Sequence, residues 1–237
     1  MGVLLEIVVR TESDARQAEQ GGADRLMVVG AVDNGGMSPE PEVFARIRDA
    51  VTIGIRPMVR LRPGFSTDGG EATRLRGLMR SYSAVGADGM VMGFLNDNGD
   101  VDAHVCGALL AEGEWPWSFH RAVDSVFDAD DAWPVLSTLP RLDGVITAGS
   151  ARGVGHGLDE LLRLAQSPAV ARLIIAGGGL EAEHIPWLVR AGVRQFHVGR
   201  SARPRRDACA GVDADLVASW RRLLDSSWAH VHASTLP

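Results

Sequence analysis

Cysteine is almost absent from this chain: Cys106 and Cys209 are the only two in 237 residues. They lie far apart and neither belongs to a C-x-x-C, so there is no disulfide framework. Two reduced thiols in a cytoplasmic protein are the expectation. Aromatic residues are sparse, with Tyr82 the single tyrosine. No apolar run reaches the length of a transmembrane helix. The opening Met1-Gly2-Val3-Leu4-Leu5-Glu6 lacks a basic stretch before its apolar residues, so it reads as a strand and not as a signal peptide. Positive charge is in deficit, with a net charge of −6. That argues against a nucleic-acid partner or an anionic membrane surface. Arginine greatly outnumbers lysine, which we read as a genomic bias. Neither H-E-x-x-H nor C-x-x-C is present, so no preformed zinc site is expected. A G-x-S-x-G elbow is also missing, which counts against an α/β-hydrolase.

What is present is a regular alternation. Short apolar runs occur at residues 4–9, 25–29, 57–61, 89–93, 117–120, 144–147, 172–176 and 195–198. They are too short for helices, and their continuous apolar character suits strands covered on both faces. Helical patterns fall between them, at 12–20, 41–51, 72–85, 101–111, 130–139, 158–165, 183–191 and 213–224. Strands alternating with helices imply a parallel sheet. Gly21-Gly22-Ala23-Asp24, Val85-Gly86-Ala87-Asp88 and Arg190-Ala191-Gly192-Val193 each precede a strand, as helix C-caps do. No linker divides the chain. The expectation is a single-domain α/β chain over 1–237, folded as a TIM (β/α)8 barrel spanning about 3–225, the size usual for that fold. The tail 226–237 is expected to fray.

Active sites of such barrels form at the C-terminal strand ends, and that rule sorts the polar residues. Glu6 sits inside the first strand, where a carboxylate needs a partner. Arg60 and Arg62 share a face near the end of the third, and one of them could pair with Glu6. Arg62 opens the following loop and is placed to meet a substrate oxygen. His120, Arg121 and Asp124 close the fifth strand. His120 can move a proton near neutral pH, and Asp124 could orient an imidazole or an arginine. Gly177 and Gly178 follow the seventh strand, and Gly199 and Arg200 the eighth, where many barrels bind phosphate. His104, His184, His230 and His232 read as solvated residues of helices or the tail.

These segments resemble the CutC family, known as copper homeostasis proteins. The resemblance rests on Leu5-Glu6-Ile7, Gln20-Gly21-Gly22-Ala23-Asp24-Arg25, Asn34-Gly35-Gly36-Met37-Ser38-Pro39, Gly86-Ala87-Asp88-Gly89 with Met92-Gly93, Phe119-His120-Arg121-Ala122-Val123-Asp124, Ile146-Thr147-Ala148-Gly149 and Gly177-Gly178-Gly179. It implies a barrel, a cytoplasmic location, often a homo-oligomer, and a small-molecule pocket containing Glu6, Arg62, His120, Arg121 and Asp124. Copper is the cofactor that the family name implies. The family often has cysteine where this chain has Val8, and Glu-Leu-Cys where it has Met27-Val28-Val29. Those thiolates would be the soft ligands for Cu(I). The family's Arg-Pro-Arg-Gly-Gly loop is also altered here, since Arg62-Pro63 runs into Gly64-Phe65.

Three readings stay open at this point. In the first, His120 is a general acid/base, Arg62 and Arg121 hold an oxyanion, and Glu6 and Asp124 set orientation. The chemistry would be lyase- or isomerase-type, on a small oxygen-rich anion or sugar derivative. The second is a copper-binding protein without catalysis. The third is a barrel whose site has decayed, as Met27 in place of a glutamate suggests.

Overall fold

The computed structural model describes residues 2–30 and 36–233. The Asn34-Gly35 part of the resemblance and residues 234–237 of the tail lie outside the described residues. Eight strands follow in chain order: β1 (Leu4–Val9), β2 (Arg25–Val28), β3 (Gly54–Pro57), β4 (Met90–Met92), β5 (Trp117–Phe119), β6 (Leu142–Thr147), β7 (Ile174–Gly177) and β8 (Gln195–Val198). All pairings are parallel, in the order β3-β2-β1-β8-β7-β6-β5-β4. A parallel bridge between Met58 and Val91 joins the two outer strands and closes the barrel.

Helices α1 (Glu12–Gln20), α2 (Pro41–Ala50), α3 (Gly69–Ala84), α4 (Ala103–Leu110), α5 (Ala129–Thr138), α6 (Val154–Leu164), α7 (Pro168–Leu173), α8 (Ile185–Arg190) and α9 (Ala214–Ala233) lie between the strands and after the last. Their apolar faces cover the outward strand residues, among them Leu5, Ile7, Trp117, Phe119 and Phe196. The glycine repeat has a specific cause. Gly22 and Gly86 take φ near +90° after α1 and α3, a region open to glycine but strained for other residues. The aspartate that follows each then accepts an N–H from the neighbouring strand: Asp24 from Leu5 at 2.7 Å and Asp88 from Ile55 at 2.8 Å.

Three elements depart from expectation. Among the described residues a ninth helix, α7, precedes β7, which starts at Ile174 and not at residue 172. The third strand lies at Gly54–Pro57, earlier than the apolar run at 57–61. Arg56 interrupts its apolar character, and the fold keeps this arginine inside the barrel. The tail does not fray from residue 226, because α9 continues to Ala233. There Trp228 stacks on His232 with centroids 3.7 Å apart, and the Arg194 guanidinium lies 5.0 Å from the Trp228 ring.

Strand alternation sends Glu6 and Val8, Arg25 and Met27, Arg56 and Met58, and Gln195 and His197 into the barrel. Its lower part is therefore polar. Arg25 Nε donates to Glu6 Oε2 at 2.5 Å. Arg56 forks onto Asp143 at 2.7 and 2.5 Å and also donates to Ser118 at 2.8 Å. The Gln195 side chain donates to the Asp143 carbonyl at 3.1 Å. Above this belt sits an apolar layer of Met27, Val29, Met58, Val91, Ile146 and Ile175, with Val8 packed against it.

Glu6 has no solvent exposure, so its charge is tolerable only while its partners remain. Arg25→Met is expected to destabilise the protein by about 3–5 kcal/mol, the usual cost of orphaning a buried charge. Urea denaturation at neutral pH would measure it. An unchanged midpoint would show that Glu6 does not depend on Arg25.

Candidate active site

Two cavities open at the C-terminal ends of the strands. The smaller, of about 210 Å³, is lined by Met27, Met58, Arg60, Phe65, His120, Arg121, Asp124, Ser125, Ile146, Ala151 and His197. The larger, of about 570 Å³, adjoins it and shares Arg121, Ala151 and His197 with it. His197 thus stands at the junction.

Glu6 lies one layer below the mouth and acts through His197. The two residues are register partners across β1 and β8, and His197 Nδ1 is 2.8 Å from Glu6 Oε1. Burial pushes the Glu6 carboxyl up. Arg25, the His197 hydrogen bond and Arg56 outweigh that and hold it down at about 2. Glu6 is therefore ionised and can only accept, so Nδ1 must be the donor. The lone pair of a neutral His197 ring is then on Nε2. Sequence reading passed over this histidine. The signal was the polar–apolar alternation of Gln195-Phe196-His197-Val198, which places a polar residue on the inward face beside Glu6.

His120 is fixed in the opposite sense. It ends β5 and caps the 3-10 turn Arg121–Ser125, with Nδ1 accepting from the Ala122 N–H at 3.1 Å. The proton of the neutral ring therefore sits on Nε2, which is buried and has no hydrogen-bond partner. Burial, reinforced by the Arg60 charge, pulls its pKa down to about 3. At neutral pH His120 is a donor without a basic lone pair to offer, and the general acid/base role suits His197 better.

The two arginines that follow the third strand exchange parts. Arg60 keeps the inward parity of Arg56 and Met58, is buried, and lies against the Phe65 ring at 4.9 Å. Its Nε donates to the Gly64 carbonyl at 3.1 Å. Beyond it the chain bends at residues 62–65, and Arg62 turns away from the cavities. Its side chain is 41% exposed and binds Asp68 at 3.0 Å and Glu71 at 2.8 Å. Arg62 therefore neither meets Glu6 nor lines either cavity. Arg60 occupies the place expected of it.

Asp124 orients an arginine and not an imidazole. Its carboxylate receives Arg121 Nε at 2.7 Å, the Thr147 hydroxyl at 2.6 Å and the Ala148 N–H at 3.1 Å. Burial raises its pKa in spite of these donors. Arg121 also donates to the Ser150 carbonyl at 3.1 Å, so its guanidinium is fixed between the cavities.

The glycines divide by role. Gly177 gives room to His197, since a Cβ there would lie 2.7 Å from the histidine Cβ. Gly178, at φ +90°, does the same for Arg121, whose guanidinium carbon would be 2.7 Å away. Gly178, Gly199 and Arg200 line the larger cavity, together with Arg152 and Arg206, which the sequence reading had not singled out. His184 is buried, not solvated, and its Nδ1 accepts the Glu181 N–H at 3.0 Å.

The family model described as CutC family matches residues 3–202. The chain belongs to the CutC family. It is 32% identical over 210 residues to the copper homeostasis protein cutC homolog of Homo sapiens, covering 87% of this chain and 76% of that one. It is likewise 32% identical over 199 residues to a CutC family protein of Klebsiella pneumoniae, covering 82% and 78%. The crystal structure of the CutC protein of Streptococcus agalactiae superposes with a TM-score of 0.75 at 22% identity, covering 83% and 98%. That likeness confirms the barrel.

The residues present do not fit a thiolate copper site. Cys106 is buried on the inner face of α4, with its thiol pushed up to about 12 by burial. Cys209 lies in the exposed stretch after β8. Val8 and Val29, at the positions where the family resemblance implies cysteine, both belong to the inner apolar layer. Among the described residues no group of three His, Cys, Asp or Glu is close enough together to hold a metal.

The burial of neutral His120 makes a pH prediction. Its folded pKa of about 3 lies below the ordinary histidine value of about 6.5. The unfolded chain therefore binds the proton first, and stability falls as pH drops from 6.5 toward 3. Asn at position 120 can still accept the Ala122 N–H. His120→Asn should thus remove up to about 1.4 kcal/mol per pH unit of that slope, read from urea denaturation at a series of pH values. Identical slopes would mean that His120 is not held neutral.

Proposed function

We propose that this CutC-family barrel is an acid–base enzyme of the lyase or isomerase type, acting on a small oxygen-rich carbonyl or sugar derivative. The observation that carries the reading is the pair of oppositely set imidazoles in one cavity. His197 is turned by Glu6 to offer a lone pair, and His120 is turned by Ala122 to offer a proton.

In this reading His197 Nε2 removes a proton from the carbon beside the substrate carbonyl. The electron pair moves onto the carbonyl oxygen, which meets the His120 Nε2–H and the Arg60 guanidinium. Such fixed donors favour the charge that develops in the transition state. Glu6 stabilises the imidazolium that forms, and Asp124 keeps Arg121 at the junction. Return of the proton to the former carbonyl carbon, with the neighbouring hydroxyl proton passing to the former carbonyl oxygen, gives isomerisation. Departure of a group from the carbon β to the carbonyl, as the enolate electron pair forms the Cα–Cβ double bond, gives elimination. The chain has no lysine, so a Schiff base on a lysine side chain is not an available route. The free thiols suit a reducing compartment, hence the cytoplasm. Self-association is inferred from the family resemblance alone.

The test is solvent deuterium incorporation into candidate hydroxy-carbonyl compounds, followed by NMR. His197→Gln is expected to lower the rate about 10²–10⁴-fold. His120→Asn is expected to lower it about 10²–10³-fold. Exchange that survives both substitutions would sink the reading.

The copper reading has its own check. A Cu(I) complex of a chromophoric chelator with submicromolar affinity is expected to stay intact when the protein is added. Stoichiometric transfer of Cu(I) to the protein would restore that alternative.

A further inference from the structure

The larger cavity carries an excess of positive side chains. Arg121, Arg152, Arg200 and Arg206 line it against one carboxylate, Glu181, in a protein whose net charge is −6. The arginines are held differently. Arg206 is paired bidentately with Glu181. Arg121 is tied to Asp124 by its Nε. Arg152 has, among the described residues, only His156 Nε2, at 2.7 Å, as a side-chain partner. Arg200 follows β8 and lines the cavity. Among the described residues these two cations have no carboxylate partner.

The floor between these side chains is glycine: Gly153, Gly178, Gly179 and Gly199. Gly153, Gly178 and Gly179 have φ of +100°, +90° and +80°. Side chains are disfavoured there on backbone grounds alone. Nothing lies within 4 Å of a Cβ placed on Gly179, so its bare backbone borders open space. A cavity lined by guanidiniums and bare backbone suits a compact, multiply charged oxyanion.

We infer that this cavity is the seat for the phosphate dianion of a phosphomonoester. The inference rests on the proposed acid–base reading and deepens it. Its geometry supplies the link, since Arg121, Ala151 and His197 border both cavities. A phosphate in the larger one extends its carbon chain past His197 into the smaller one, where His197 and His120 meet the carbonyl. The substrate class is then a short phosphorylated hydroxy-carbonyl compound. The uncompensated pair, Arg152 and Arg200, matches two negative charges. That favours a monoester over a diester, which carries one.

Calorimetric titration tests this with glycerol 3-phosphate, glycerol and dimethyl phosphate as probes. Glycerol 3-phosphate should bind at least tenfold more tightly than either of the others. Arg152→Gln and Arg200→Gln, both at exposed side chains, should each weaken it about tenfold and leave the melting temperature unchanged. Equal binding of monoester and diester, or binding indifferent to both arginines, would overturn the phosphate seat. The two readings can also fail separately. Arginine-dependent phosphomonoester binding without His197-dependent exchange would remove the acid–base role and keep the seat. His197-dependent exchange on a phosphate-free compound, with no glycerol 3-phosphate binding, would do the reverse.

Discussion

A single carboxylate buried in the middle of a barrel organises this molecule. Glu6 has no contact with solvent, and an isolated charge there would cost many kcal/mol. Its neighbours on both sides are therefore constrained. Arg25 on β2 must present a guanidinium, and His197 on β8 must turn Nδ1 toward it. That second requirement leaves Nε2 facing the cavities. One electrostatic constraint, met for stability, also sets the orientation of the most promising base. Gly177 is part of the same arrangement, because any side chain there would displace the His197 ring.

The barrel interior is stratified accordingly. A polar belt runs through Glu6, Arg25, Arg56, Ser118, Asp143 and Gln195, and the sulfur-rich apolar layer lies above it. The cavities come last. The apolar layer lowers the local dielectric beneath the site, which strengthens the pull of each fixed charge. It also keeps His120 neutral, since an imidazolium there would be desolvated and would face Arg60. Two histidines a few residues from strand ends thus acquire opposite hydrogen-bonding roles from their second partners, a carboxylate in one case and a backbone N–H in the other.

Membership of the CutC family does not carry copper chemistry to this chain by itself. A relative is named for copper homeostasis, but the two thiols of this chain, Cys106 and Cys209, are one buried and one exposed and form no shared site. What this chain does have is the polar architecture around Glu6, His120, Arg121 and Asp124. Those residues have positions explained by hydrogen bonds to one another's neighbours and not by a shared metal. Arg121 and Asp124 are neighbours in sequence, yet their pairing matters because it ends on β6, through Thr147 and Ala148.

The sequence by itself determined the architecture. Strand and helix periods are local properties, and eight apolar runs alternating with amphipathic ones leave few alternatives to a closed parallel barrel. It also determined that Glu6 and the His120–Asp124 segment lie inside or at the mouth, because strand parity and the strand-end rule are local too. Only the tertiary structure decided which arginine enters the cavity. Arg60 and Arg62 have the same parity on paper, and a bend at residues 62–65 separates them. The pairing of Glu6 with His197 was equally out of reach, since it joins the first strand to the last. That contact exists only once β8 pairs with β1, and it decides which nitrogen of His197 carries the proton while His120 keeps its own on Nε2.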